Sequence, residues 1–285
     1  MSLPGERLAL AGLACFVVCL SLVPVLRLAF EAVAPGGTLD LGLARDVLTA
    51  PATLTATWHS LVTAFFGTCL SLILGTALAL LVALTDMRRK AIIVFLFLLP
   101  LMIPPQVTAL AWAQLFGPSS PLLVTLGLAP PIGSPNPIYS PEGIVLLLGV
   151  QHAPLVFLAV RAGLRNLPRE LIEAARACGA GPARTLFGIA LPVVMPSLVA
   201  GGALAFVSAI GNFGIPALIG IPAGYTVLPT LIYQRLASFG PSIISEVAVL
   251  SVLVGCLAFA GFAVQRLVLG RRDYRCETEE RRDTR

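Results

Sequence analysis

The chain has 285 residues, of which 57% are hydrophobic and only 12% are charged, and its mean hydropathy is +0.93. This composition excludes a soluble globular domain and is typical of an integral membrane protein. The net charge of +5 does not indicate nucleic-acid binding, because the basic residues lie in short loops beside apolar segments, where the positive-inside rule accounts for them.

Six apolar segments are long enough to cross the hydrocarbon core of a bilayer as helices. They are predicted at about 8–26, 60–84, 91–116, 143–162, 186–210 and 247–264. The first segment could be read as a signal peptide, because a cleavage-like Ala-Val-Ala stands at 32–34. Its apolar run is longer than a signal h-region and Pro35 follows at once, so we favour a retained first span.

Proline and glycine divide the chain between and within these segments. Pro100, Pro104 and Pro105 lie in the third segment, which predicts an irregular helix at membrane depth that faces protein or water. The stretch 116–141 has no charged residue and is rich in Pro, Gly and Ser. It is predicted to be an ordered extracytoplasmic loop without regular structure.

Three basic clusters set the predicted topology. They lie at 88–90, 161–184 and 266–275, and six spans place all three on the cytoplasmic side. Both termini are then cytoplasmic. Residues 1–270 are predicted to form a single transmembrane domain, followed by a charged cytoplasmic tail at 271–285.

A polar segment with helix-forming residues stands between the fourth and fifth spans, at residues 173–192. Glu173, Ala174 and Ala175 favour helix, whereas the Gly-rich stretch 179–182 must interrupt it, because Gly permits left-handed turns and Pro suits a first helical turn. The sequence therefore predicts a helix, a tight turn at Gly179 and a second helix. Positive charge places this loop in the cytoplasm, and it comes from Arg165, Arg169, Arg176 and Arg184.

The spacing in this loop resembles the signature of permease subunits in binding-protein-dependent ABC importers. Glu-Ala-Ala is followed by three residues, Gly179, nine residues and then Ile189-x-Leu191-Pro192, a match at every signature position. The resemblance covers most of the chain. It implies an all-α, six-span permease of the type I importer fold, in which the loop between spans 4 and 5 is a coupling helix that docks on a cytoplasmic ATPase.

The resemblance also implies the setting in which the chain works, the inner membrane of a prokaryote. The implied partners are a cytoplasmic ATPase dimer that binds ATP and Mg, a second permease subunit that is identical or related, an extracytoplasmic solute-binding protein, and membrane lipid. The chain itself is expected to bind no cofactor and to have no enzymatic activity, because no Gly-rich phosphate loop precedes its only lysine, Lys90.

A second, shorter resemblance concerns the substrate. The loop 212–225, which begins Asn-Phe-Gly-Ile-Pro-Ala, looks like the outer loop of permeases for ferric iron, thiamine, aminoethylphosphonate and polyamines. It is most similar to the ferric iron members, so ferric iron is the first expectation and the other three cargos are alternatives. Many ferric permeases of this type fuse two such units in one chain, whereas this chain has one.

Polar residues within the spans are candidates for lining a translocation path, because polar groups in lipid are costly unless they face the bundle interior. The candidates are Gln106, Thr108, Gln114, Gln151, His152, Ser208 and Asn212. Interhelical hydrogen bonding is the competing role for each of them. No metal site is predicted, since the two histidines and six cysteines lack ligand spacing.

Two other functions compete with the importer. A secondary transporter or channel that works without ATP is disfavoured, because such proteins place ionisable groups at midplane and these spans carry almost none. A permease-like protein retained for assembly or regulation is the second alternative. Copurification with a Walker-containing ATPase would separate the importer from both.

Overall fold

A computed structural model describes residues 4–85, 87–131, 133–165 and 169–270, so the predicted tail at 271–285 lies outside the described residues. Its helices in chain order are α1 Pro4–Val33, α2 Leu41–Thr49, α3 Pro51–Leu84, α4 Lys90–Met102, α5 Pro105–Leu115, α6 Pro121–Thr125, α7 Pro141–Arg165, α8 Arg169–Ala177, α9 Pro182–Thr185, α10 Leu191–Ile210, α11 Leu228–Leu236 and α12 Ile243–Gly270. Single π-helical turns occur at Leu186–Ala190 and Pro216–Gly220. No strand occurs among the described residues, which confirms the predicted all-α class.

Five of the described helices are long and apolar enough to cross a membrane, and there are six such spans if a bent pair of helices counts as one. The pair is α4 and α5, whose axes differ by 106°. Ile103 and Pro104 between them are extended, because Pro104 and Pro105 lack the N–H groups that would continue the helix. The predicted irregularity of the third span is therefore confirmed, and it takes the form of a sharp break.

The chain forms two compact units. The first contains the described residues of Met1–Ser60 and Thr226–Leu257. Leu228 and Leu231 of α11 pack with Ala56 of α3 and Leu250 of α12. The Ser60 hydroxyl accepts a hydrogen bond from the Leu228 amide at 2.8 Å, so the start of α11 is fixed to α3 by both packing and a buried polar contact.

The second unit contains the described residues of Leu61–Tyr225 and those from Ala258 onward. Its centre is α7, in which Val156, Phe157 and Val160 are fully buried. Gly75 of α3 lies so close to α7 that a Cβ there would stand 2.5 Å from the Ala153 carbonyl oxygen. Transmembrane helices approach this closely where a small residue leaves room. Gly75 therefore lets α3 and α7 pack backbone to backbone.

The helices differ from the predicted spans mainly at their ends. The first span was predicted at 8–26 and the last at 247–264, whereas α1 is Pro4–Val33 and α12 is Ile243–Gly270. Hydropathy marks the part of a helix that lies in hydrocarbon, and these helices continue into more polar sequence. The prediction of no regular structure in 116–141 is wrong at Pro121–Thr125, where the Ser120 hydroxyl caps a short helix by accepting from the Leu123 amide.

Candidate functional site: a helix–turn–helix loop and a polar recess

The loop after α7 has the predicted helix, turn and helix. Helix α8 ends at Ala177, and Gly179 follows with φ of +79°, a left-handed conformation that favours glycine. The Ala180 amide donates to the Ala175 carbonyl oxygen at 2.9 Å, which is the long hydrogen bond of a Schellman C-cap. Gly179 is therefore the residue that ends α8 and redirects the chain.

The two halves of the signature segment have different surroundings. Glu173, Ala174 and Gly179 are exposed, Ala175 is half-buried, and the apolar half is held in the core. Ala190 is fully buried, Ile189 and Leu191 pack against the core cluster that contains it, and Pro192 is exposed. The segment thus presents Glu173 on an exposed helix, whereas its other half is anchored by the buried Ala190.

A recess of about 410 Å³ opens where the third span breaks. Its wall comes from both sides of the break, from α7, from the end of α10 and from Asn212 two residues beyond that end. The polar side chains that line it are Gln151, His152, Ser208 and Asn212. The structure therefore brings together four of the predicted path-lining residues. Gln106 and Gln114 lie on α5 outside this wall, and both are exposed.

Gln151 supplies the hydrogen-bond donor that is missing where the prolines break the helix. In an unbroken helix the amide of residue 104 would donate to the carbonyl of residue 100, but Pro104 has no N–H. The Gln151 Nε2 donates to the Pro100 carbonyl oxygen at 2.5 Å and to the Ile103 carbonyl oxygen at 3.3 Å. A side chain of α7 thereby satisfies two carbonyls that the break frees, as buried backbone groups in a membrane require.

One buried polar atom beside the recess has no hydrogen-bond partner within the described part of the chain. It is the Gln151 Oε1, on a side chain that is only 5% exposed. Unpaired buried polar atoms are costly. The two hydrogen bonds that the Gln151 Nε2 donates therefore hold an amide whose oxygen stays unsatisfied.

The polar residues of the loop after α10 mainly stabilise the loop itself. The Asn212 Oδ1 accepts from the Ile215 amide at 3.1 Å and caps the turn that continues into Pro216–Gly220. Gly214 lies against the Gln106 side chain, since a Cβ there would stand 2.7 Å from the Gln106 Cδ. Further along the loop, burial and the nearby Glu142 carboxylate raise the pKa of Tyr225, which keeps its hydroxyl neutral.

An all-α bundle of apolar spans, with an outward-facing signature helix anchored after its most buried span, defines a permease subunit of an ABC importer. The chain belongs to the family of binding-protein-dependent transport system inner membrane components, which matches residues 71–272. It is a multi-pass protein of the inner membrane.

Similar proteins of this class carry different solutes. The chain is 28% identical over 204 residues to the putative 2-aminoethylphosphonate transport system permease protein PhnU of Salmonella choleraesuis, covering 70% of each chain. It is 30% identical over 232 residues to the xylose/arabinose import permease protein XacH of Haloferax volcanii, covering 79% of this chain and 73% of that one. A bacterial ABC transporter that imports the acidic polysaccharide alginate shares the fold, with a TM-score of 0.75 at 16% identity over 93% and 95% of the chains.

Sequence reasoning missed the main-chain part of the recess. The Pro100 and Ile103 carbonyl oxygens hold the Gln151 amide at the recess, and Ile103 itself lines the wall. The available signal was the spacing of Pro100 and Pro104, since a proline four residues after a carbonyl removes that carbonyl's helical donor. The identity of the replacement donor, 51 residues away in Gln151, had no local signal.

Proposed function

We propose that this chain forms half of the membrane pathway of an ATP-driven importer and transmits the work of a separate ATPase through the signature loop. The observation that carries the proposal is the division of that loop, with Glu173 on an exposed helix and Ala190 fully buried. A helix anchored in this way can transfer a push from a docked partner to α10, because the π-helical turn Leu186–Ala190 leads directly into it.

The proposed complex contains two permease subunits, two ATPase subunits that bind ATP and Mg, and an extracytoplasmic solute-binding protein. ATP closes the ATPase pair, the coupling helices move together, and the pathway changes from inward-facing to outward-facing. The proposed orientation has both termini and the signature loop in the cytoplasm. Support comes from the arginine-rich surroundings of α8.

The solute is proposed to contact the recess at the broken third span during its passage. The polar side chains of the recess are two amides, an imidazole and a hydroxyl, the rest of its wall is apolar, and no carboxylate is among its described lining residues. Such a wall suits hydrogen bonding to a small zwitterion better than binding of a trivalent cation, which prefers anionic oxygen ligands. We therefore favour a phosphonate of the aminoethylphosphonate kind over ferric iron, with thiamine and polyamines as further alternatives.

The first test is to purify the chain with its co-expressed partners and to identify them by mass spectrometry. Recovery of a Walker-containing ATPase, a second permease subunit and a soluble solute-binding protein is the expected result. Binding of 2-aminoethylphosphonate and of ferric citrate to that soluble partner is then measured by calorimetry. Preference for ferric citrate would restore the first expectation from the sequence.

The coupling role is tested with a matched glycine pair. Gly179→Asp places a side chain in a left-handed turn, whereas Gly181→Asp adds the same charge two residues along, where φ is not positive and space is open. We expect Gly179→Asp and Glu173→Ala to abolish ATP-driven uptake in proteoliposomes, with Gly181→Asp active. Normal uptake in the first two variants would contradict the coupling role.

Two outcomes would favour the competing functions. Gradient-driven uptake by the purified chain in vesicles without any ATPase would indicate a secondary transporter or channel. A stable complex with a permease but with no ATPase would indicate a role in assembly or regulation.

A further inference from the structure

A second recess, of about 690 Å³, lies at the N-terminal end of the third span. It is bounded by the end of α3, the start of α4 and the end of α7. Basic side chains and apolar side chains share its wall, namely Lys90, Arg161 and Arg165 with Val94, Phe95 and Leu98. The volume lies within the range of ligand sites in proteins, roughly 300–1,000 Å³.

The positive charge of this recess is not neutralised within the described part of the chain. None of its three basic groups has a described carboxylate within the 4.0 Å of an ion pair, whereas Arg27 and Arg235 elsewhere do have such partners. The Arg161 guanidinium lies 5.7 Å from the centre of the Phe157 ring, and Phe157 is fully buried. That stacking fixes the guanidinium at the mouth of the recess.

The apolar part of the wall continues onto an exposed surface. Phe95 is 58% exposed and Ile92 is 52% exposed, and both stand on the first turns of α4. Large exposed apolar side chains beside a helix end are expected where hydrocarbon chains surround the protein. The recess therefore combines three basic side chains with an apolar surface that continues along the first turns of α4.

We propose that this recess binds an anionic phospholipid, with the phosphate among Lys90, Arg161 and Arg165 and an acyl chain along Val94, Phe95 and Leu98. Basic pockets between transmembrane helices bind acidic lipid headgroups by charge and by hydrogen bonds. A free phosphate would satisfy only the cations and leave the apolar wall uncovered, so the lipid matches both parts. The site is separate from the recess at Gln151 and is independent of the proposed transport function.

The test measures retained lipid on the full-length protein. The protein is purified in detergent with equal amounts of phosphatidylglycerol and phosphatidylcholine, and bound lipid is counted by native mass spectrometry. Phosphatidylglycerol is expected to be retained preferentially. Arg161→Gln should lower that retention about fivefold, the effect of one basic residue near a headgroup, and removal of all three charges should abolish the preference.

Arg266→Gln is the matched control, because Arg266 is an exposed arginine near the end of another span and outside the recess. Equal loss of lipid in Arg266→Gln and Arg161→Gln would overturn the proposal by showing non-specific attraction. Arg161→Lys retains the charge and should retain most of the binding, which separates loss of the site from misfolding. Displacement of the lipid by millimolar inorganic phosphate would also overturn it, since the recess would then be a phosphate site.

The assembled complex gives a second measurement. Phosphatidylglycerol should remain bound when the second permease subunit and the ATPase are present. Its loss on assembly would show that a protein surface covers the recess, and the lipid assignment would then be wrong. None of these readouts uses ATP or transport, so a negative result here leaves the importer proposal unaffected.

Discussion

Helices α1 and α7 are both apolar and long enough to span a bilayer, yet they have opposite surroundings. The most apolar window of α1 has none of its residues buried, whereas 67% of the corresponding window of α7 is buried. Both helices contain Gly and Pro, but α7 carries Gln151 and His152 near its middle, whereas α1 has no amide or imidazole side chain. Polar side chains within the span, more than apolarity, therefore mark the interior span of this protein.

The largest expected effect comes from adding bulk at the interior helix. Gly75→Ile would place a side chain against the backbone of α7, where even a Cβ would lie 2.8 Å from the Phe157 amide nitrogen. Neither backbone can move aside without unpacking the core, so we expect loss of folded, monodisperse protein in size-exclusion chromatography. Gly12→Ile on α1, where no atom lies within 4 Å of the added Cβ, should be recovered at the wild-type yield. Equal recovery of both variants would remove the contrast between the helices.

A smaller effect is expected from the polar contact of the interior helix. Gln151→Leu removes the donor to the Pro100 and Ile103 carbonyl oxygens. Leaving these part-buried acceptors unpaired costs about 1 kcal/mol, the low end of the range for buried groups, which should lower the thermal unfolding midpoint and slow uptake.

The control is Gln114→Leu, which makes the same change on α5 at an exposed position outside the recess. It should leave the midpoint within error of wild type. If Gln114→Leu lowers the midpoint as much as Gln151→Leu does, the hydrogen bonds at the break have no special role.

The smallest effects are expected at the charged residues near the C-terminal end of α1, the exposed helix. Arg27 is 70% exposed and lies 3.5 Å from the Glu31 carboxylate, and exposed pairs of this kind contribute at most about 1 kcal/mol. Arg27→Gln should therefore change the unfolding midpoint little. Glu31→Ala should lower it more, because the Glu31 carboxylate also accepts from the Ser245 hydroxyl at 2.9 Å. A larger effect of Arg27→Gln would show that the polar end of α1 depends on the ion pair itself.

The sequence predicted the spans and the turn of the signature loop. It did not predict most contacts between residues that are far apart in the chain. Gly179 could be predicted because the need for a left-handed residue is local. The break at Pro104 could be predicted for the same reason. The role of Asn212 as a cap rather than only a wall residue depends on how the loop folds back, and hydropathy does not report it. The recess around Arg161 combines residues from three helices, and no sequence spacing connects them.

The hydrogen bond between Gln151 and the Pro100 carbonyl makes two distant positions dependent on each other. If Pro104 were replaced by a residue with an amide hydrogen, that amide could donate to the Pro100 carbonyl only if Ile103, which is extended at the break, also became helical. The glutamine would then be dispensable. Changes at Pro104 that let the helix close are thus expected among the suppressors of Gln151 loss in a genetic screen.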